Sequence, residues 1–528
     1  MAAGEENRLE MNLYEYLKSR KGLLFTFACT YLWGIAAHGY CYFNVMNNND
    51  SMYIKQNAVE YLLRLGRFSH GAYFRFRGHF FPPVLIGLLS LGFLAAAIYG
   101  ILFLLDMLDR GSIFLAAGIL TVNSALTLTN AAVLHDSDIY MLALLLAVLG
   151  AVFCRRWKWG FLPGAACLCI SLGFYQSYFQ AGVYLFMILA VVDLLRGKDV
   201  GKVFVEGLRA ILALLLGLVS YKVILDLVLK WKGLKLLNTY NGISGAGKFG
   251  SVSALLGTLR KTYVSVWNNW RNPLTFHRTY VGLINVLLLV LALAAMVWII
   301  LRRHLKALAV LLLAAVLVLM PFGMNLAYFM ADAWSHGLMI YSFFLTYLLC
   351  YAVILEFLKL EEVRSFLGRK RIFAAAGIYA VPLLLTVVVF QNLIFSNQTY
   401  LKKQYEYQST LLTMNRIVAR MEATEGYVMG ETPVVFIGVL TKSKAILKRD
   451  GFGYQGYGEG TKAGITQYGK YEPFFDYILG YPINLQSSGT AKKWGKRDDV
   501  KAMHAFPAPD SCQMIDGTMV VKITGPVS

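Results

Sequence analysis

Residues 22–50, GLLFTFACTYLWGIAAHGYCYFNVMNNND, pass from an apolar stretch long enough to cross a bilayer into an abruptly polar loop that ends on a carboxylate, Asp50. A helix needs about 20 predominantly apolar residues to span ~30 Å of hydrocarbon. This stretch meets that length, is too long for a signal-peptide core, and is followed by no clear A-x-A cleavage site, so it is expected to remain as an anchor. The rest of the chain repeats the pattern. Of 528 residues, 57% are hydrophobic and only 15% charged, far from the composition of an ordinary soluble domain.

Eleven apolar runs of membrane length follow one another, at about 22–43, 79–105, 112–132, 138–154, 160–176, 179–195, 208–229, 281–300, 306–325, 338–357 and 373–395. The expected fold class is an all-α polytopic membrane protein of about eleven transmembrane helices over residues 1–395, with a small C-terminal extracytoplasmic α/β domain over 396–528. Lys and Arg set the orientation. One set of short connections carries Lys18, Arg20 and Lys21, then Arg110, Arg155 and Arg156, Arg196 and Lys198, Arg302 and Arg303, and Arg369 to Arg371. The alternate connections, near 130–137, 176–180 and 326–337, carry no Lys or Arg. The expected topology therefore places the N-terminus in the cytoplasm and the C-terminal domain outside.

Two outside loops, 44–78 and 230–280, break the charge rule. The first holds Lys55, Arg64, Arg67, Arg75 and Arg77; the second holds eight cations and no acidic residue between Lys230 and Arg278. Retained positive charge on the translocated side suits a lipid phosphate or an anionic glycan, or simply anionic headgroups. Each loop also contains an amphipathic stretch expected to lie flat at the membrane interface: Met52, Val59, Leu62, Leu63 and Leu65 in one, Leu255, Leu256, Leu259, Tyr263, Val266 and Trp267 in the other. The lipid bilayer is thus a partner by composition.

The net charge of +20 is explained by these loops and the positive connections, and calls for no nucleic acid. Six of the seven cysteines fall in apolar spans and Cys512 stands alone in the C-terminal domain, so no disulfide framework is expected there. No CxxC, HExxH or zinc-ligand spacing occurs; no cofactor is indicated, and a divalent metal is compatible with the loop carboxylates without being called for. Beyond Phe395 the pattern changes to a polar helix over about 402–424, a strand PVVFIGVL (433–440), a Gly/Tyr-rich stretch (451–481) and a final strand GTMVVKI (517–523). Aromatics of that stretch, such as Tyr454, Tyr457, Tyr471, Phe474 and Phe475, suit either sugar stacking or core packing.

Three stretches together resemble one family: the loop from NNND to GRF (47–68); HDSDIYMLALLLAVLG (135–150) with SLGFYQSYFQAGVYLFMILAVV (171–192); and the ending MNRIVAR (414–420), PVVFIGV (433–439) and AFPAPDSCQMIDGTMVVKI (505–523). They are similar to the bacterial type II glucosyltransferases of the Gtr group, which modify O-antigen-like surface glycans and belong with the GT-C membrane glycosyltransferases. The resemblance implies sugar transfer on the outer face of the cytoplasmic membrane. The donor would be a sugar, usually glucose, on polyprenyl phosphate; the acceptor would be a surface or lipid-linked polysaccharide. Where that family often has paired acidic residues in its first loop, Asp50 is followed here by Ser51, which leaves Asp50 as the single candidate.

Glycosyl transfer with inversion needs a base for the acceptor hydroxyl and cations for the departing phosphate. Asp50 suits the base, and equally an N-cap for a helix starting at Ser51 or Met52. Arg64 and Arg67, on either side of Gly66, suit two-point grip of a phosphate, or headgroup contact and pairing with Glu60. Lys222, within an apolar helix and four residues before Asp226, suits lipid-phosphate binding or snorkelling. His135, Asp136 and Asp138 have no cation in their own loop, so their partners must come from elsewhere; metal binding, acceptor contacts and helix capping are all open. Tyr175 and Gln176 in GFYQSY, and Asp332 and Trp334 after the ninth run, suit sugar contacts or interfacial anchoring. The rival readings are a polysaccharide polymerase on the same architecture and a lipid-linked glycan flippase. A transporter predicts repeated halves and polar residues spread through the spans, and the ionisable residues here gather in loops instead.

Overall fold

The structure, a computed structural model, describes residues 21–47, 58–78, 81–237, 247, 249–363, 371–440 and 464–524. Asp50, Ser51, Met52, Lys55, Tyr454 and Tyr457 lie outside the described residues. Among the described residues each of the eleven apolar runs is mainly helical. Among the described residues eight helical stretches are long and apolar enough to cross a membrane: Pro83–Leu105, Ser124–Arg156, Gln176–Leu195, Val200–Lys232, Arg278–Arg302, Ala307–Met324, Tyr341–Leu358 and Tyr379–Glu422. The remaining runs correspond to Lys21–Phe43, 23 residues long but interleaved with Tyr31, Trp33 and His38, and to two short apolar helices, Arg110–Thr121 and Phe161–Phe174. The chain is an all-α polytopic membrane protein with a small C-terminal sheet. It divides into two compact units: Met1–Gly39 with Val59–Thr127 and Asp136–Ser396, and Tyr40–Ala58 with Leu128–His135 and Asn397–Ser528.

Local chemistry explains where the helices of the first unit start and stop. Pro83 opens its helix at a position where a missing N–H costs nothing. The Asp109, Asp199 and Ser251 side chains cap Arg110–Thr121, Val200–Lys232 and Val252–Arg271 through Ser112 N, Lys202 N and Ala254 N. The run read as one span at 112–132 is two helices, because Asn123 ends one and caps the next: its Oδ1 accepts from Leu126 N at 2.9 Å while its amide donates to Leu120 O at 2.8 Å.

Helices pack closely where side chains are small. A Cβ on Gly164 would stand 2.8 Å from Cys154 Sγ and 3.0 Å from Gly150 O, so that crossing tolerates only glycine. At the other extreme, Val200–Lys232 leaves Phe204, Ile211, Leu215, Val219 and Leu227 exposed along one side. A continuous apolar face of that length has no place in water and suits lipid tails.

The two amphipathic loop segments use their apolar sides differently. In the first, the helices Ala58–Arg64 and His70–Arg77 turn their apolar side to protein: Leu63 packs with Leu225 and Leu229, and Leu234 and Leu236 close over it. In the second, Val252–Arg271 buries Thr258, Thr262 and Trp270, while Leu256 and Trp267 remain exposed.

In the second unit the polar helix expected over 402–424 is the latter part of one 52-residue helix, Arg371–Glu422. Its buried Lys403 donates to the carbonyl of Ala131, near the C-terminal end of Ser124–Val133, where a cation is favoured. Cys41, Met46, Ala131 and Tyr400 form a small core beside it. The sheet has four strands, β1 (Pro433–Ile437), β2 (Asn484–Leu485), β3 (Cys512–Ile515) and β4 (Thr518–Lys522), in the order β2-β1-β4-β3. β1 runs parallel to β2 and β4, and β3 antiparallel to β4. Tyr471, Phe474 and Phe475 are buried in its core, with Tyr471 stacked on Phe436 at 4.1 Å, so these aromatics serve packing. All seven cysteines are free, and burial pushes the Cys512 thiol up to about 11.

Candidate active site

Within the first unit, the loop segment 66–78 lies against the turn at the start of Ser137–Arg156. Arg77 and Asp138 form a dry ion pair, Nη1 to Oδ1 at 2.7 Å, with 3% and 0% of the two side chains exposed. The second carboxylate oxygen accepts from Tyr73 OH at 2.8 Å. Burial, and then the neighbouring carboxylate, push the Tyr73 phenol well above its ordinary value, so it acts as a hydrogen-bond donor. A three-residue step along the segment places His70 Nε2 3.9 Å from Asp136 Oδ2, both buried. Asp138 thus finds its cationic partner in an earlier loop, about 60 residues back, and Asp136 faces an imidazole from the same segment.

Arg67 occupies the other end of the segment. Its guanidinium lies over the Tyr175 ring at 4.7 Å and donates to Tyr140 OH at 3.2 Å. Tyr140 and Tyr175 are stacked with centroids 4.1 Å apart and planes 5° from parallel. An arginine held over an aromatic face keeps its charge and donor fork beside that ring. Arg67 is only half buried, whereas the rings beneath it are buried.

A polar brace holds the turn that aims Arg67. Gln176 Nε2 donates to Leu65 O and to Tyr221 OH, each at 3.0 Å, and Tyr221 OH donates to Gly66 O at 3.0 Å. Gly66 itself has φ +82°, and a Cβ there would meet Tyr221 OH at 2.5 Å. Only glycine combines that backbone with that approach. On the other side of the turn Ser69 N donates to Gly173 O at 3.0 Å.

The other expected residues are placed as follows. Arg64 ends its helix with Nε donating to Lys235 O at 3.1 Å. Lys222 pairs with Asp226 at 2.6 Å on the exposed side of Val200–Lys232, both more than half exposed. Asp332, in a left-handed conformation with φ +50°, accepts from Thr258 Oγ1 at 3.0 Å. Trp334 meets His336 edge-on at 4.4 Å. His135 belongs to the second unit and Asp50 lies outside the described residues. Asp136 stands at the N-cap of Ser137–Arg156 without a side-chain cap bond, so its carboxylate is not spent on capping. Among the described residues no group of three or more His, Cys, Asp or Glu side chains is placed to hold a metal ion.

His70, Tyr73, Arg77, Tyr140 and Tyr221 join the cluster without having been singled out from the sequence. Arg77 carried a signal, as a cation kept in a loop where the charge rule disfavours it. Tyr140 and Tyr221 carried none, since an aromatic in an apolar run reads as core or interface.

A bundle of membrane-length helices with a dry Arg–Asp pair and an arginine laid on tyrosines under its first loop is a polytopic membrane protein with a built polar site. The family model for glucosyl transferase GtrII matches residues 39–357, more than half of the chain, and the protein belongs to that family: it is a membrane glucosyltransferase. The match takes in the whole Arg67–Asp138 cluster and ends before the 371–422 helix. No curated protein and no solved structure matches the chain.

Proposed function

We propose that this glucosyltransferase takes glucose from a polyprenyl-phosphate carrier and places it on a surface or lipid-linked polysaccharide at the outer face of the cytoplasmic membrane, in the manner of GT-C enzymes. The observation that carries the reading is Arg67: a half-buried guanidinium oriented by the Tyr140–Tyr175 stack, in a loop whose cations the charge rule would otherwise remove. Such a group suits a phosphate leaving with the lipid, because it stabilises charge that grows as the glycosidic bond breaks. Arg64 stands three residues before it, and Lys222 is exposed on the helix that supplies Tyr221. The three are assigned to the donor phosphate.

Asp50, at the start of the same loop, is assigned the base that takes the acceptor hydroxyl proton. Asp332 and Trp334 are assigned to sugar contacts, one by hydrogen bonds to hydroxyls and the other by stacking. The test is transfer from radiolabelled polyprenyl-phosphate glucose to a host-glycan extract, in membranes holding wild type or Asp50→Asn at matched protein levels. Transfer by wild type that collapses with Asn supports the reaction and the base. Undiminished transfer with Asn moves the base elsewhere, and no transfer by wild type from any polyprenyl-linked hexose overturns the donor.

A further inference from the structure

Three side chains of one loop segment land on one turn: Arg67 on Tyr140, His70 towards Asp136, and Arg77 on Asp138. From this we propose that Arg77 and Tyr73, acting through Asp138, are positioning residues that lock segment 67–77 in the register that keeps Arg67 on its tyrosine platform. The proposal rests on the reading of Arg67 as the donor-phosphate group.

The division of labour follows from exposure. Asp138 is fully buried and held at both oxygens, by Arg77 on Oδ1 and Tyr73 on Oδ2. A carboxylate gripped from two sides cannot rotate, so it fixes the C-terminal end of the His70–Arg77 helix to Ser137–Arg156. The same helix start supplies Tyr140, two residues on, which fixes Arg67 at the opposite end of the segment. Between them Ser69 bonds to Gly173 O and its hydroxyl to Ile170 O at 3.3 Å. With the Arg77 end released, the His70–Arg77 helix pivots on the Ser69 contacts, two residues from Arg67, and its tilt is passed to Arg67 across them. A shift of about 1 Å in a group that positions substrate can cost about a hundredfold in rate.

A lock differs from a mere strut in what its loss does to folded enzyme. Arg77→Met alone leaves Asp138 buried without its cation and risks unfolding. Tyr73→Phe, Arg77→Lys and the double variant Arg77→Met with Asp138→Leu avoid that, the last by replacing both charges with apolar groups, which is often neutral for stability. Donor and acceptor KM, kcat and thermal unfolding midpoint are measured for each with polyprenyl-phosphate glucose. The expected result is a donor KM raised roughly threefold to tenfold in Tyr73→Phe and Arg77→Lys, with acceptor KM unmoved. In the double variant the unfolding midpoint returns to wild type while donor KM stays raised about tenfold or more. A double variant with wild-type midpoint and wild-type donor KM would overturn the lock. So would single variants that lose only the amount of folded protein. Absence of transfer by wild type itself is a separate failure: it removes the donor reading, and this proposal with it.

Discussion

The helices of the first unit have two charged ends, and the two are built differently. Asp138 and Arg155 stand at opposite ends of Ser137–Arg156, about 26 Å apart at 1.5 Å per residue. At the Asp138 end a carboxylate, an arginine and a phenol meet in a dry cluster, and a second arginine lies over tyrosine rings. At the Arg155 end the charges form a wider mesh. Arg155 bonds to Asp193 and Glu206, and Lys198 bonds to Glu206 at 2.7 Å. Nearby, Glu356 gathers Arg196 at 2.9 Å, Lys359 at 2.7 Å and Arg303 at 3.4 Å. Redundant, partly wet pairs staple helix ends together, and losing one member leaves the others in place. A dry pair of two buried side chains depends on both of its members. Sites that must hold a geometry are made the second way, and ends that need only be held are made the first way.

The comparison breaks most visibly at Arg67. Arg67→Met should lower glucose transfer by about 10²–10³-fold, as expected for loss of a group that stabilises developing charge, with the folded protein recovered in normal amount. Next in size is Arg77→Met, which should cost about 3–5 kcal/mol of stability by stranding a buried carboxylate, read as a lowered unfolding midpoint in detergent. Gly66→Ala should follow at about 1–3 kcal/mol, since alanine is strained at positive φ and meets the Tyr221 hydroxyl. Lys198→Met, at the meshed end, should cost under about 1 kcal/mol, because the pair is partly solvated and Arg155 still serves Glu206. The smallest effect concerns the second unit. With its thiol pushed up to about 11, Cys512 should resist alkylation at pH 8 until the unit unfolds. Rapid labelling of folded protein would contradict its buried placement.

Much of this architecture is legible in hydropathy, because a span must satisfy its backbone internally and expose apolar side chains whatever its neighbours are. The runs at 208–229 and 281–300 lie within the longer helices Val200–Lys232 and Arg278–Arg302. Where one polar residue changed the outcome, hydropathy failed. Asn123 splits an apolar run because its side chain competes for backbone bonds, and the turn to a polar sequence after Phe395 does not break the 371–422 helix. The site was legible in half. HDSD, with no cation in its own loop, had to find partners elsewhere, and the retained loop arginines marked the first loop as unusual. Which arginine met which carboxylate is a long-range pairing that no periodicity encodes. Gln176 carries a duty that its place in the sequence does not announce: its amide braces the Gly66 turn.

The most direct test compares the two ends in one assay: initial rate of glucose transfer per folded molecule for Arg67→Met and Lys198→Met against wild type. The account predicts that the first loses transfer by at least about a hundredfold while the second keeps the wild-type rate. An Arg67→Met enzyme that transfers normally, or a Lys198→Met enzyme that loses transfer as steeply, would contradict the placement of the reaction at the Arg67–Asp138 end.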